Sequence, residues 1–319
     1  MKAWVELWDR HEPPHVLAVV RMLIAAVVMV DFAHIYGLDL VETFYASSAD
    51  GGLANLGSRN PKPLLYRWLP LESSTAWWSL CAAFFSALAF GTGTLTRLSG
   101  LVFVLASANL AQILPPTDRA IDTLLRNMVL LLSFSSSHRV WSVDALVRYR
   151  RWSGDPRPTP AWPRFLIIIQ LFIMYFTAGV QKVGLTWTPV GDWSALYIVL
   201  RDPAFAVLSD PTLDAFYRVT QLATISTWLW EWSTPVAAYA LWCRATHTRP
   251  GRIRAWLNTS AFWPKWVIVG ACFHLGIAAT MRLGMFPYGV LALYPAFFPG
   301  VEWRRWLRRN PETKTPPLG

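Results

Sequence analysis

The sequence predicts an all-α integral membrane protein, a polytopic bundle of about eight transmembrane helices. Of its 319 residues, 54% are hydrophobic and only 15% are charged, whereas soluble domains carry about 25% charged residues. The mean hydropathy is +0.32, and the apolar residues lie in long runs, as membrane helices require. Many of the nineteen tryptophans lie at the ends of those runs, which is typical of the aromatic belts at membrane interfaces. A soluble globular domain is the less favoured alternative.

Eight apolar segments cover most of the chain, and we expect a membrane helix in each. The third stops at Pro115 and Pro116, and the fifth is bracketed by Arg164 and Lys182 with no charged residue between them. The eighth is short enough to be tilted, re-entrant or half-buried. The predicted spans are residues 16–36, 75–93, 98–114, 121–134, 165–181, 222–242, 266–281 and 286–298.

Basic residues predict how these helices are oriented. Arginines concentrate after the fourth span, after the sixth span and in the C-terminal segment, which all lie on one side if every segment crosses. We therefore expect a multi-pass protein of the cell membrane with both termini in the cytoplasm. Topology also accounts for the net charge of +10, so no nucleic-acid partner is predicted. The arginines concerned are Arg139, Arg148, Arg150, Arg151, Arg157, Arg244, Arg249, Arg252, Arg254, Arg304, Arg305, Arg308 and Arg309.

Charged residues within the spans are costly to bury, so they usually pair, line a wet cavity or take part in chemistry. Arg21 and Asp31 are too far apart on one helix to pair with each other, so each needs a partner elsewhere. A structural ion pair is favoured over catalysis for Arg21, Arg126 and Glu231. Both roles stay open for His34 and His274. The full set within or at the edge of the spans is Arg21, Asp31, His34, Arg126, Glu231, His274 and Arg282.

Other kinds of functional site find no support in the sequence. Cys81, Cys243 and Cys272 lie within or beside apolar runs without paired spacing, which is typical of small buried hydrophobic residues rather than of disulfides. The sequence contains no metal-ligand spacing, phosphate-binding loop, nucleophile elbow or nucleotide fingerprint. No metal site is therefore predicted.

One stretch resembles a known family. Residues 175–182, Tyr-Phe-Thr-Ala-Gly-Val-Gln-Lys, followed by Trp187, resemble the signature of vitamin K-dependent gamma-carboxylase and of the wider bacterial family of horizontally transferred transmembrane (HTTM) domains. Residues 17–31, 137–146 and 273–303 resemble three further family segments in the same order. The resemblance implies a single membrane domain over residues 1–310, followed by a short polar tail at residues 311–319.

The resemblance also implies a chemistry. In the carboxylase a lysine deprotonates reduced vitamin K, a hydroquinone; oxygen then adds, and the strongly basic product removes a proton from a glutamate γ-carbon, to which carbon dioxide adds. The lysine carries over to Lys182, and the carboxylase histidines carry over to His138 and His274. Reduced vitamin K or another menaquinol-type quinone, oxygen and carbon dioxide are the co-substrates that follow. Ser137 stands where the carboxylase has asparagine, so contacts to an oxyanion at that position do not carry over.

The position of Lys182 agrees with this role. A lysine that is withdrawn from water can act as a base near neutral pH, and small residues such as Gly179 let a flat ring or a neighbouring helix approach closely. We expect Tyr175, Gly179, His34 and Trp187 to contact the quinone. The alternative for Lys182 is a side chain that extends to the lipid headgroups from a helix end.

Two features argue against full carboxylase activity. The carboxylase continues into a large extramembrane region that helps to bind its substrate's propeptide, and we expect no such region here because the sequence stops at Gly319. Simple topology also puts His138 near the cytoplasmic side and Lys182 near the outer side. His34 and His274 are better placed to approach Lys182.

Three functions stay open on the sequence. The first is a membrane enzyme that oxidises a reduced quinone and carboxylates a peptide or small-molecule acceptor, with Lys182 as its base. The second is a non-enzymatic membrane scaffold or immunity-like partner that keeps the fold. The third is a transporter, which the lack of internal repeats disfavours.

Overall fold

The computed structural model describes residues 2–54, 67–70, 72–246, 249–300 and 302. These residues are predominantly α-helical, and their strands are limited to one short antiparallel pair, β1 (His11–Glu12) with β2 (Thr159–Pro160). The helices, in chain order, are α1 (Lys2–Trp8), α2 (His15–Gly37), α3 (Leu40–Tyr45), α4 (Ser73–Thr92), α5 (Thr96–Ile113), α6 (Ala120–Ser133), α7 (Val143–Tyr149), α8 (Trp162–Gln181), α9 (Ala195–Arg201), α10 (Asp210–Ala215), α11 (Tyr217–Trp232), α12 (Thr234–Ala245), α13 (Arg252–Thr259), α14 (Phe262–Thr280) and α15 (Phe286–Leu291).

Five helices are long and apolar enough to cross a membrane: α2, α4, α5, α8 and α14. They coincide with the first, second, third, fifth and seventh predicted spans, so the prediction of a polytopic helical membrane fold is confirmed. Each has between 18 and 23 residues, which at about 1.5 Å per residue matches a hydrocarbon core of about 30 Å.

The other three predicted spans have a different form. The fourth corresponds to α6, a helix of only 14 residues. The sixth is divided at Ser233 into α11 and α12, and Pro235 lies in the first turn of α12, where proline is tolerated because the first helical N–H groups have no partner within the helix. The eighth is α15 followed by the 3₁₀ turn Tyr294–Phe297. The count of eight spans therefore stays a prediction.

The chain packs as two compact units. We call the first the Arg21 unit; it comprises Asp9–Arg164 and Pro295–Gly319. The second, the Lys182 unit, comprises Met1–Trp8 and Phe165–Tyr294. Trp303 and the tail at residues 311–319 lie outside the described residues.

In the Arg21 unit, α4 packs against α2 and α5, and α5 packs against α6. Small residues allow close helix contacts: a Cβ on Gly91 would lie 2.6 Å from Cβ of Ala25, and one on Gly100 would lie 1.9 Å from Oγ of Ser133. Any larger residue at either glycine would push the helices apart.

Several charged residues of this unit form ion pairs. Arg119 Nη2 lies 2.7 Å from Asp31, and Arg126 donates both of its terminal nitrogens to Asp118 at 2.7 and 2.8 Å. The prediction that Asp31 needs a partner outside its own helix is confirmed.

Arg21 is completely buried in the same unit. Its two terminal nitrogens each donate a hydrogen bond of 2.6 Å, one to the carbonyl of Ser137 and the other to that of Trp141. These carbonyls belong to the turn between α6 and α7, so Arg21 ties this turn to α2. Arg21 thus has partners outside its own helix, as predicted.

Asp144, in the first turn of α7, caps the start of α5. Its carboxylate accepts hydrogen bonds from the backbone N–H groups of Leu95 and Thr96 at 2.8 and 2.9 Å, and from Oγ1 of Thr96 at 2.7 Å. The first N–H groups of a helix lack partners within it. Asp144 therefore satisfies the start of α5 from a distant part of the sequence.

Aromatic side chains dominate the Lys182 unit. The rings of Trp230 and Trp266 stack with centroids 4.7 Å apart, and the Trp230 indole N–H donates to the Trp266 carbonyl at 3.0 Å. A Cβ on Gly270 would lie 2.3 Å from the Trp230 ring. The glycine therefore provides the space that allows α11 and α14 to pack around this indole.

Candidate functional site

Lys182 is the first residue beyond α8, and its side chain contacts α11. Its ammonium group donates to both carboxylate oxygens of Glu231 and lies 5.1 Å from the ring centroid of Trp187. The Lys182 side chain is 20% exposed and that of Glu231 is 9% exposed. The cation is thus held between a buried carboxylate and the face of an indole, and both interactions stabilise positive charge.

Gly179 lies one turn before Lys182 and lets the two helices meet. A Cβ at this position would lie 3.0 Å from Cβ of Glu231, so a larger side chain would press against the residue that pairs with Lys182. The sequence left open whether this small residue admits a flat ring or a neighbouring helix. The structure places α11 there.

Tyr175 lies two turns before Lys182 and belongs to a buried polar cluster. Its hydroxyl lies 3.0 Å from Nε2 of His274 and 3.0 Å from the hydroxyl of Tyr294, and all three residues are buried. Nδ1 of His274 is also buried and has no hydrogen-bond partner among the described residues. The cluster is a chain of groups that can share protons, with one ring nitrogen left over.

Two consecutive residues of α11 connect this cluster with the ion pair. The Trp230 ring packs against Tyr175 with centroids 4.5 Å apart, and the next residue, Glu231, pairs with Lys182. The Lys182–Glu231 pair, Trp187 and the Tyr175 cluster therefore form one continuous set of contacts within the Lys182 unit. We call this set the Lys182 site.

The other two predicted histidines lie in the Arg21 unit. His34 is near the end of α2 and is exposed. His138 is in the 3₁₀ turn Ser137–Arg139, where Arg21 binds the Ser137 carbonyl. Burial lowers the pKa of His138, and the positive charge of Arg97 lowers it further. His138 Nδ1 has no hydrogen-bond partner in the described part of the chain.

His34 and His138 thus belong to a different unit from Lys182. The predicted approach of His34 to Lys182 stays a prediction, as does a catalytic role for His138. The sequence did not indicate Trp230 and Tyr294, which contact Tyr175 in the Lys182 site. The sequence indicates Glu231 as an ion-pair residue, because it is the lone carboxylate of an apolar span, but does not indicate its partner.

Both units contain apolar cavities. In the Arg21 unit, a cavity of about 390 Å³ lies between α2 and α4, and two of its lining residues, Ala33 and Tyr36, flank His34. In the Lys182 unit, a cavity of about 200 Å³ is lined by α1, α8 and α12. Such walls suit hydrocarbon chains. Neither lining includes Lys182.

Comparison with known proteins places the chain in a family. No solved structure matches the chain. The family model of the HTTM domain matches residues 9–229, which is more than half of the chain and includes Tyr175, Gly179, Lys182 and Trp187. Glu231 and His274 lie beyond the matched range. The chain belongs to the HTTM domain family.

Proposed function

We propose that this multi-pass membrane protein is an enzyme that oxidises a reduced quinone, with Lys182 as the base, and carboxylates an acceptor. The pairing of Lys182 with Glu231 beside Trp187 is the observation that carries the proposal. It brings a lysine and a proton-accepting partner together at the end of a membrane helix, where a quinol from the bilayer can arrive. The resemblance of residues 175–182 to the carboxylase signature supports the same chemistry.

The pair would work as a unit. A protonated lysine cannot act as a base, so its proton first moves to Glu231, which leaves a neutral amine beside a neutral carboxyl group. In a low-dielectric site this exchange removes two opposite charges and is less costly than in water. Lys182 then takes the proton of the quinol hydroxyl, and the new ammonium group pairs with the quinol anion.

The overall reaction balances without another oxidant. Oxygen accepts four electrons from the quinol; one oxygen atom enters the quinone epoxide and the other leaves as water. Carboxylation is redox-neutral: the acceptor loses a proton from carbon, and carbon dioxide forms the new carbon–carbon bond. Reduced vitamin K or another menaquinol-type quinone is the proposed co-substrate, and a peptide or small molecule is the proposed acceptor.

The test is epoxide formation from a reduced naphthoquinone by the purified protein. We expect activity in the wild type, none in Lys182→Ala, and none in Lys182→Arg, which keeps the positive charge but cannot act as a base. Lys265→Ala is the matched control, because Lys265 is an exposed lysine in the first turn of α14. Unchanged turnover in Lys182→Ala would refute the proposal.

A second function, a non-enzymatic membrane scaffold, is favoured by one observation. Glu231 accepts from Lys182 with both carboxylate oxygens, which is also the arrangement of a purely structural ion pair. A scaffold would form no epoxide in any variant and would be recovered in a stable complex with a neighbouring membrane protein. Epoxide from the wild type would exclude this alternative as the sole function.

We also propose that all eight segments cross the cell membrane and that both termini are cytoplasmic. The arginines between α12 and α14 support this orientation. Labelling with a membrane-impermeant maleimide tests it. A cysteine placed at position 153, in the exposed basic segment between α7 and α8, should react only after the cells are opened, whereas one at position 190 should react in intact cells.

A further inference from the structure

The short helix α13 has an unusual distribution of side chains. Its inner face packs on the end of α12: Leu257 is buried against Ala240 and Cys243. On the same face, Arg254 donates to the carbonyls of Cys243 and Thr246 at 3.1 and 3.2 Å. The C-terminal carbonyls of a helix lack partners within it, so Arg254 satisfies two groups at the end of α12. Arg254 on the inner face thus stabilises the contact between α13 and α12.

The outer face of α13 is apolar and basic. Ile253 is 66% exposed and Trp256 is 60% exposed. At about 100° per residue, Trp256 lies about 160° from Arg254, on the opposite side of the helix, and Ile253 lies about 100° from Arg254, at the flank of the outer face. Arg252 shares this face and is exposed, as is Arg249 just before the helix. Neither arginine forms an ion pair with any residue that the structure describes. A helix that faced water would not present a tryptophan and an isoleucine in this way.

The surrounding sequence makes this face strongly positive. Residues 244–266 contain four arginines and one lysine, and no aspartate or glutamate. α14, a candidate membrane span, begins at Phe262, three residues after α13 ends. The helix therefore lies at the level where hydrocarbon meets the lipid headgroups. Arginine with tryptophan on one face is the composition of helices that lie in that zone.

We propose that the outer face of α13, with Arg249, is a binding surface for anionic phospholipids of the adjacent leaflet. Trp256 and Ile253 enter the boundary between headgroups and acyl chains, and Arg249 and Arg252 hold the lipid phosphates. Charge selects the occupant, since an uninterrupted basic segment attracts anionic headgroups and gains nothing from neutral ones. The proposal does not depend on the quinol chemistry.

The experiment places a fluorophore on this face. Ile253→Cys is labelled with the polarity-sensitive dye NBD in a background of Cys81→Ser and Cys272→Ser, with the buried Cys243 retained. Detergent micelles containing the full chain are titrated with phosphatidylglycerol or phosphatidylcholine. We expect a blue shift with phosphatidylglycerol that is quenched when its acyl chains are brominated. Identical responses to the two lipids, or an emission that stays characteristic of water, would overturn the proposal.

A double variant measures the role of charge. Arg249→Gln with Arg252→Gln should weaken the phosphatidylglycerol response by about 30-fold, since each basic residue contributes about fivefold. Arg148→Gln with Arg150→Gln removes the same charge from α7 and its C-terminal cap, in the Arg21 unit, and should leave the response unchanged. An equal loss of the phosphatidylglycerol response in both double variants would show that only the net charge of the protein matters, and would refute a local binding surface on α13. Native mass spectrometry of co-purified lipid gives a second readout, in which the first double variant should retain less phosphatidylglycerol.

Discussion

Replacing Lys182 with methionine leaves the Glu231 carboxylate buried without its cation. Only 9% of the Glu231 side chain is exposed, so the charge cannot be hydrated, and removal of one partner of a buried pair costs about 3–5 kcal/mol. The carboxylate can lose this buried charge by binding a proton. A glutamate in water has a pKa of about 4.3 and each pH unit corresponds to about 1.4 kcal/mol, so protonation at pH 7 costs about 3.7 kcal/mol. That value is the ceiling on the loss of unfolding free energy.

This maximum loss of unfolding free energy becomes smaller as the pH is lowered, so the effect of Lys182→Met on Tm should depend on pH. At pH 5 protonation costs only about 1 kcal/mol. For a chain of this length one kcal/mol corresponds to about 2 °C in Tm. Lys182→Met should therefore melt about 7 °C below the wild type at pH 7 and about 2 °C below it at pH 5. The assay is thermal unfolding of the purified protein in detergent, with each variant compared with the wild type at the same pH.

Two further variants, Glu231→Gln and the double variant Lys182→Met with Glu231→Gln, complete a double-mutant cycle on this ion pair. Glu231→Gln alone should cost less than Lys182→Met, because the 20% exposed lysine can reach water. Adding Glu231→Gln to Lys182→Met should recover most of the loss at pH 7, since no buried charge remains. Lys265→Met, at an exposed lysine of α14, should leave Tm unchanged. Additive losses, or a Lys182→Met loss that is the same at both pH values, would refute the reasoning.

Three further predictions concern the Arg21 unit, and all are measured by thermal unfolding. Arg21→Met should lower the free energy of unfolding by about 3–6 kcal/mol, because it removes two hydrogen bonds from a charged donor worth about 1.5–3 kcal/mol each; no loss of Tm would contradict the anchoring role. Asp144→Ala should cost about 1–2 kcal/mol, the usual loss on removal of a helix cap, and Asp144→Asn should recover part of it. Hydrogen bonds from Arg157, and additionally from Arg139, hold the pKa of Asp155 below its usual range. The ionised Asp155 therefore stabilises the fold fully above about pH 4, and this stabilisation is lost as the pH falls further. Asp155→Asn should make Tm less dependent on pH in the acid range, and an unchanged dependence would contradict this prediction.

The membrane helices were predictable where a long apolar run stands alone. α2, α4, α5, α8 and α14 coincide with predicted spans because length and hydropathy suffice to identify a membrane helix. The sixth predicted span was less simple. It breaks at Ser233, where the following Thr234 and Pro235 are residues that favour helix starts. The hydropathy of residues 222–242 conceals this break, because apolar residues continue on both sides of it.

The partners of the buried charges were not predictable, although their need for partners was. Lys182 and Glu231 are 49 residues apart in the sequence, and the residues around either one do not predict its partner. Arg21 is a clearer case, since its acceptors are the backbone carbonyls of Ser137 and Trp141. Any residue type provides a carbonyl, so no sequence pattern identifies such a partner.

The position of Glu231 within α11 bears on why the pair exists. It lies in the last turn of the helix, which ends at Trp232. Backbone carbonyls give this end of a helix a partial negative charge, so a carboxylate there is disfavoured unless a cation offsets it. Lys182 is that cation, and Gly179 provides the space for its approach. A pair that served stability alone should work equally well with arginine at position 182, whereas a pair that must release a neutral amine should not. Lys182→Arg that keeps the melting temperature and loses quinol oxidation would therefore show that the reaction needs a neutral amine at position 182 and not only a cation beside Glu231.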